Sequence, residues 1–199
     1  MLHAPQQKRS EQTLKRILTV CGELVDQGRF EQASMQEIAR DAGVSVGTLY
    51  KRFSSKSAIV EYLVERLQVE QYEEIIAELA ACDSLQLEDR VRFLSDLLHQ
   101  NIHQYAGLLR TVVLTHLLGQ SPISETTNSR SGSLIETVAG WLNESRDSPG
   151  MERCRHAVAS TAFSYQYSVV YPTPEVLLGT ETHRKLVCEM ALNYLGVSK

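Results

Sequence analysis

Two histidines, His99 and His103, stand four residues apart in a stretch of helical periodicity. At that spacing two imidazoles on one helix face can share a metal ion. No third ligand is recognisable nearby, so the pair is expected to be exposed and no metal site is assigned. The four cysteines, Cys21, Cys82, Cys154 and Cys188, are widely separated. They offer neither the close pairs of a metal knuckle nor the density of a disulfide scaffold. Cys21 and Cys188 fall in apolar stripes and read as small buried hydrophobes, and no thiol has an evident activating base beside it. A phosphate loop, a GxSxG elbow, an HExxH pair and paired carboxylates in a recognisable setting are all missing. The sequence therefore assigns no catalytic residue and no cofactor, and the expectation is a protein that is not an enzyme.

The residues suited to recognition lie between 34 and 56, and the elements that must position them can be read around them. Leu14, Ile17, Leu18, Cys21, Leu24 and Val25 recur at helical spacing and define a first amphipathic helix, which Gly28 can terminate. Ser34-Met-Gln-Glu37 is a capping box, in which the Ser hydroxyl serves a first-turn amide and the Glu carboxylate reaches back. Met35, Ile38, Ala39 and Ala42 give the inward face of this second helix. Gly43 permits a sharp turn, and Ser45 caps a third helix that buries Leu49 and Phe53. Val46, Gly47, Thr48, Tyr50, Lys51 and Arg52 are left partly or wholly outside. Two short helices joined through Ala42-Gly43-Val44-Ser45 fit the helix-turn-helix design. The third helix offers free amides and partial positive charge at its start, and Gly47 lets another surface approach its backbone. Charge agrees: residues 1–56 hold nine Lys and Arg against six Asp and Glu, a net +3, which leaves −7 on the remainder of a chain of net charge −4. A basic end on an acidic body suits a segment that meets a polyanion.

The run Ile38-Ala-Arg-Asp-Ala-Gly-Val-Ser-Val-Gly-Thr-Leu-Tyr-Lys-Arg-Phe-Ser-Ser-Lys56 resembles the TetR family signature, and the likeness covers roughly residues 10–60, about a quarter of the chain. Two departures concern the packing of the first helix: Val25 stands where Phe is usual, and the Gly28-Arg-Phe30 turn is one residue longer than common. The resemblance implies that Ser34, Tyr50 and Lys56 hold phosphates and that Val46, Gly47 and Thr48 face base edges. Lys51 and Arg52 would supply further phosphate or base contacts. It also implies a homodimer on a pseudo-palindromic operator in double-stranded DNA. An unidentified small-molecule effector would occupy the helical body and release a repressor from that operator. The alternatives are an activator, or a helical small-molecule-binding protein without ligand-controlled repression.

Beyond Lys56 the periodicity stays helical, with Ile59, Val60, Leu63, Val64 and Leu67 on a long fourth helix and Leu87, Val91, Leu94, Leu98 and Ile102 on a fifth. Residues 106–118 are apolar nearly all round and are expected to be buried. Residues 119–132, rich in Ser, Thr, Gly and Pro, read as a loop. Helices are expected at about 133–145, 150–171 and 181–196. The fold is thus expected to be all-α with about nine helices: an N-terminal arm and helix-turn-helix domain over 1–56, then a helical effector-binding and dimerisation domain over 57–199. Two stripes are assigned to dimerisation, Leu186, Val187, Met190, Ala191, Tyr194 and Leu195 on the last helix, and Ala157, Val158, Thr161, Ala162, Tyr165 and Val169 on the one before. Effector-binding candidates are His103, Tyr105, Arg110, His116, Trp141, Tyr165 and Tyr167, with Arg110 the lone cation of an apolar helix. No apolar stretch approaches the ~20 residues of a membrane span. The N-terminal residues lack a secretory pattern, so a cytoplasmic protein contacting no membrane is expected.

Overall fold

The computed structural model describes residues 4–82, 84, 86–117, 125–170 and 181–197, with residues 4–8, 116, 126 and 127 described by their backbone alone. Among the described residues every regular element is a helix. In chain order they are α1 (Ala4–Asp26), α2 (Met35–Asp41), α3 (Val46–Arg52), α4 (Lys56–Ala81), α5 (Leu87–Gln104), α6 (Ala106–Leu117), α7 (Glu125–Asn143), α8 (Met151–Val170) and α9 (Glu181–Leu195). None is long and apolar enough to cross a membrane.

Local chemistry sets the boundaries of the first elements. Gly28 and Gly43 adopt φ of +66° and +62°, the left-handed region that favours glycine, so α1 and α2 stop where they do. The capping box of α2 is complete: the Glu37 amide donates to Ser34 Oγ (3.2 Å) and the Ser34 amide to Glu37 Oε2 (2.7 Å). Serines also cap α3 and α4, where Ser45 Oγ accepts from the Thr48 amide and Ser55 Oγ from the Ala58 amide. Each such cap is worth about 1 kcal/mol.

Two cores result. The first gathers Ile17, Cys21, Phe30, Ile38, Leu49 and Phe53 from α1–α3 and the turns between and after them, and is closed by Ile59 and Val60 from the start of α4. Burying each Ile, Leu or Phe there contributes about 1.5–3 kcal/mol. The second gathers the inward faces of α5, α7, α8 and α9 with Ile75 and Leu79 from the far end of α4. A single continuous helix, α4, thus serves both cores, and α6 lies between them: its Leu108 and Val112 pack on the first and its Leu109 on the second.

Four expectations need correction. Helix α7 begins at Glu125, so residues 125–132 are helical, while 119–124 lie outside the described residues. Tertiary contact overrides weak propensity there: Gln68 of α4 donates to Ser131 Oγ (2.9 Å), and Ser133 satisfies its hydroxyl on the Ser129 carbonyl. Helix α6 is not buried all round, since it packs on α1 and α8 and leaves Leu114 and Leu117 on its outer side. His99 and His103 are half-buried rather than exposed, because α5 turns them toward α8 and α9. Finally, the α8 stripe Ala157, Val158, Thr161, Tyr165 and Val169 closes the core of the single chain, and on α9 Val187, Ala191 and Leu195 do the same. The outward apolar residues are Phe163 and Tyr167 of α8 with Leu186, Met190 and Tyr194 of α9.

Candidate nucleic-acid interface and ligand cavity

Helix α3 presents Val46 (37% exposed), Gly47, Tyr50 (48%) and Lys51 on its outer side, while Leu49 is fully buried beneath it. A Cβ added at Gly47 would meet nothing within 4 Å, so the absence of a side chain there serves no contact inside the chain. Thr48 is half-buried, with its hydroxyl 2.7 Å from Ser45 Oγ. Arg52 turns back to α1, donating to the Ser10 carbonyl (2.7 Å) and hydroxyl (2.6 Å) and so fastening the end of α3. Ser34 is occupied by its capping box, which holds the Glu37 carboxyl below the usual carboxylate range, first through the Ser34 amide and then through its hydroxyl. Lys56 is also engaged. Its ammonium donates to the Glu31 carbonyl (2.7 Å), lies 3.8 Å from Glu31 Oε2 and stands over the Phe30 ring, with 23% of the side chain exposed. The other Glu31 oxygen accepts from Thr115 Oγ1 of α6 (3.0 Å). Sequence reasoning passed over Arg16, which donates to the Gly43 carbonyl in the turn (3.2 Å). Arg16 lines an open groove of about 810 Å³ along α1 together with Arg9 and Lys15, adding cationic surface beside the helix-turn-helix.

A second void, more enclosed and mostly apolar, lies among α4, α5, α6, α7 and α8 and has a volume of about 670 Å³. Leu67, Leu98, Ile102, Leu109, Leu134 and Ile135 supply much of its wall. Its volume and lining suit a small molecule. Leu108 and Val112 line it as well, and these are the α6 residues that pack on the first core. Next to Leu108, α6 lies so close to α1 that a Cβ at Gly107 would fall 3.0 Å from the Val25 carbonyl oxygen.

The profile of bacterial regulatory proteins of the tetR family matches residues 17–63, which is the unit just described from α1 into α4. The N-terminal unit is similar to the helix-turn-helix of tetR-family regulators. Among curated relatives, an HTH-type transcriptional regulator of Staphylococcus aureus (strain USA300) is 34% identical over 59 residues, 30% of this chain and 32% of the relative. The chain therefore spans about a third of the length of the curated relatives it matches. Solved structures extend the likeness in fold to nearly the whole chain. A tetR-family transcriptional regulator from Streptomyces coelicolor superposes with a TM-score of 0.62 at 14% identity, over 94% of this chain and 80% of the other. The fatty acid degradation regulator FadR from Bacillus halodurans gives 0.62 at 15%, over 94% and 100%. The transcriptional regulator FadR from Bacillus subtilis, solved in complex with stearoyl-CoA, gives 0.57 at 14%, over 94% and 100%.

Within this tetR-type fold the effector candidates scatter. Tyr105 lines the cavity, and burial raises its hydroxyl above the ordinary tyrosine range. Arg110 is exposed on α6, its Nε donating to the Val169 carbonyl (2.9 Å). Trp141 lies away from the cavity beside Phe93, under the guanidinium of Arg90. Tyr165 is fully buried, hydrogen-bonded to Ser95 Oγ at 2.7 Å, and burial pushes its hydroxyl up to about 12. Tyr167 is exposed near Phe163. His103 lies against His99 with the two rings tilted by 57°, and His116 belongs to α6 with its side chain outside the described residues. The polar residues that do line the cavity include Gln71, Asn101 and Tyr72, and the sequence carries no pattern that marks them. Among the described residues no group of His, Cys, Asp or Glu is arranged to hold a metal ion. Cys21, Cys154 and Cys188 are buried, and burial raises their thiols, that of Cys21 to about 12.

Proposed function

We propose that this chain is a transcriptional regulator that works as a homodimer, a repressor that leaves a pseudo-palindromic operator when a small molecule fills the cavity. In this reading Val46, Gly47 and Thr48 face base edges in the major groove, Tyr50 holds phosphate, and Lys51 and Arg52 supply further phosphate or base contacts, Arg52 only by leaving Ser10. Ser34 and Lys56 would hold further phosphates, Lys56 only by exchanging its Glu31 partner. Residues 1–56 read DNA and residues 57–199 bind the effector and the second copy, with α4 common to both. A regulator of this kind acts in the cytoplasm, where the DNA is.

The observation that carries the ligand response is the double duty of α6. Leu108 and Val112 are at once wall of the cavity and packing for the DNA-binding unit. A ligand that binds one position of α6 better than another must therefore shift the unit it leans on. The existence of a FadR structure holding stearoyl-CoA supports a ligand in a body of this fold. Capture of genomic fragments by the purified protein tests the reading. Enrichment of one roughly two-fold symmetric site is expected, and enrichment of none overturns it.

A further inference from the structure

The cavity's own chemistry says more about its occupant than size does. Among the described residues two charged ones line it, Glu73 and Arg130, both exposed and opposite in sign, so together they bring no net charge. Deeper in, the wall is aliphatic, with Ile75, Leu98, Ile102 and Ile135. An ion placed there would lose its hydration without gaining a counter-charge, a cost of several kcal/mol. Polar residues interrupt this wall, Gln68, Tyr72, Ser131, Ser133 and Gln166 among them, and one pair bridges α4 and α5. Gln71 of α4 donates through Nε2 to Asn101 Oδ1 of α5, and both side chains line the cavity half-buried.

That bond uses one donor and one acceptor of the two amides. It leaves a carbonyl oxygen on Gln71 and an NH2 on Asn101, neither of them among the buried polar atoms sealed away from any partner. If both amides were turned over, the pair would still offer one free carbonyl and one free NH2. An acceptor and a donor offered by one hydrogen-bonded pair are the chemical complement of a primary or secondary carboxamide, which brings an N–H and a C=O. The Tyr105 hydroxyl accepts from Gln104 Nε2 (3.2 Å) and keeps its own proton to donate. Because its ionisation is disfavoured by burial and then by Glu74 and Glu70, it stays a neutral donor.

We infer that the effector is an uncharged, mainly hydrocarbon molecule carrying one carboxamide-like group, which Gln71 and Asn101 read as a pair. The inference rests on the cavity being the effector site. It separates this chain from sites that read a carboxylate or an ammonium, for which a buried unpaired Arg or Glu would be needed. A leftover donor and acceptor in an apolar wall also disfavour a pure hydrocarbon, which would bury both unpaired.

The test uses the full chain without DNA and a neutral fluorescent probe, N-phenyl-1-naphthylamine, displaced by three ligands of one chain length: decanamide, decanoate and decylamine. Decanamide is expected to displace the probe at a concentration at least tenfold lower than either ion. Equal or stronger displacement by decanoate or decylamine overturns the inference. The double variant Gln71→Leu/Asn101→Leu is expected to bind the probe within twofold of the unmodified chain and to lose the tenfold preference. If it keeps the preference, the pair is not the reader. The comparison of head groups on the unmodified chain stands whether or not the variant folds. Adding decanamide to the operator complex then tests release separately: tight amide binding without release would sink the repressor reading and leave the ligand class intact.

Discussion

At the scale of single residues, the helix-turn-helix shows two glycine and lysine positions whose physical roles pull apart. Gly47 stands on the outer side of α3 with open space where its Cβ would be. Gly47→Ala should leave the fold as stable or raise stability by about 0.5–1 kcal/mol, since Ala is the better helix former. If Gly47 faces DNA as proposed, the added methyl should nevertheless weaken operator binding at least tenfold by standing between α3 and the groove. Thermal melting and an operator titration on the same sample check both signs; a variant that binds normally would remove Gly47 from the interface. Lys56 behaves in the opposite way. Its ammonium holds the Glu31 carbonyl and stands over Phe30, so Lys56→Ala should destabilise the unit by about 1–2 kcal/mol before any DNA is added. Unchanged denaturant stability would leave phosphate binding as its sole role. The capping box was legible in the sequence because Ser34 and Glu37 are three residues apart. The Lys56–Glu31–Thr115 chain was not, because it joins residues that only the folded helices bring together.

At the scale of elements, periodicity placed most helices and failed where it could not distinguish a buried face from a bare one. The Ser-rich start of α7 looked like loop because propensity is local, whereas its packing on α4 is not. The His99–His103 pair looked exposed because nothing in α5 reveals that α8 and α9 cover it. In the fold His99 meets Tyr165 edge-on at 5.4 Å, and Tyr165 meets His183 of α9 at 5.6 Å. All three imidazoles are held below their ordinary value of 6.5, first by burial. The neighbouring charges are Arg184 and Asp96 around His99 and Arg110 beside His103, while His103 itself faces His183. The sign of the pH effect follows. Below about 6.5 the unfolded chain takes up protons that the folded chain refuses, so stability is full above that pH and falls as acid is added, until the folded imidazoles titrate in turn. The melting temperature should therefore drop between pH 7.5 and 5.5, and the double variant His99→Gln/His103→Gln should lose a smaller amount over the same range. An equal drop in both proteins would mean that acid acts elsewhere.

For the whole molecule, the decisive feature is a set of large apolar side chains on the outer sides of α8 and α9, exposed among the described residues. Phe163 and Tyr167 of α8 are 66% and 53% exposed, and Leu186, Met190 and Tyr194 of α9 are 49%, 61% and 44% exposed. Spacings of four residues keep each set on one side of its helix, opposite the residues that close the core. Contiguous large hydrophobes of this kind mark an interface. The sequence assigned both stripes of these two helices to dimerisation without telling the inner from the outer, since a helix with apolar residues on both sides shows no difference between them in its own sequence. A two-fold partner seated here would also set the separation of the two α3 helices, which a two-half-site operator requires. Phe163→Glu/Met190→Glu places charge on the face without touching the core, so helix content should hold while light scattering reports monomer in place of dimer. Affinity for a two-half-site operator should then fall at least a hundredfold, and affinity for a single half-site should change by no more than a few fold, because each helix-turn-helix still folds and reads alone. If the unmodified chain scatters as a monomer of 22.3 kDa at micromolar concentration, the face serves something other than a second copy, and the half-site separation must be fixed by another route.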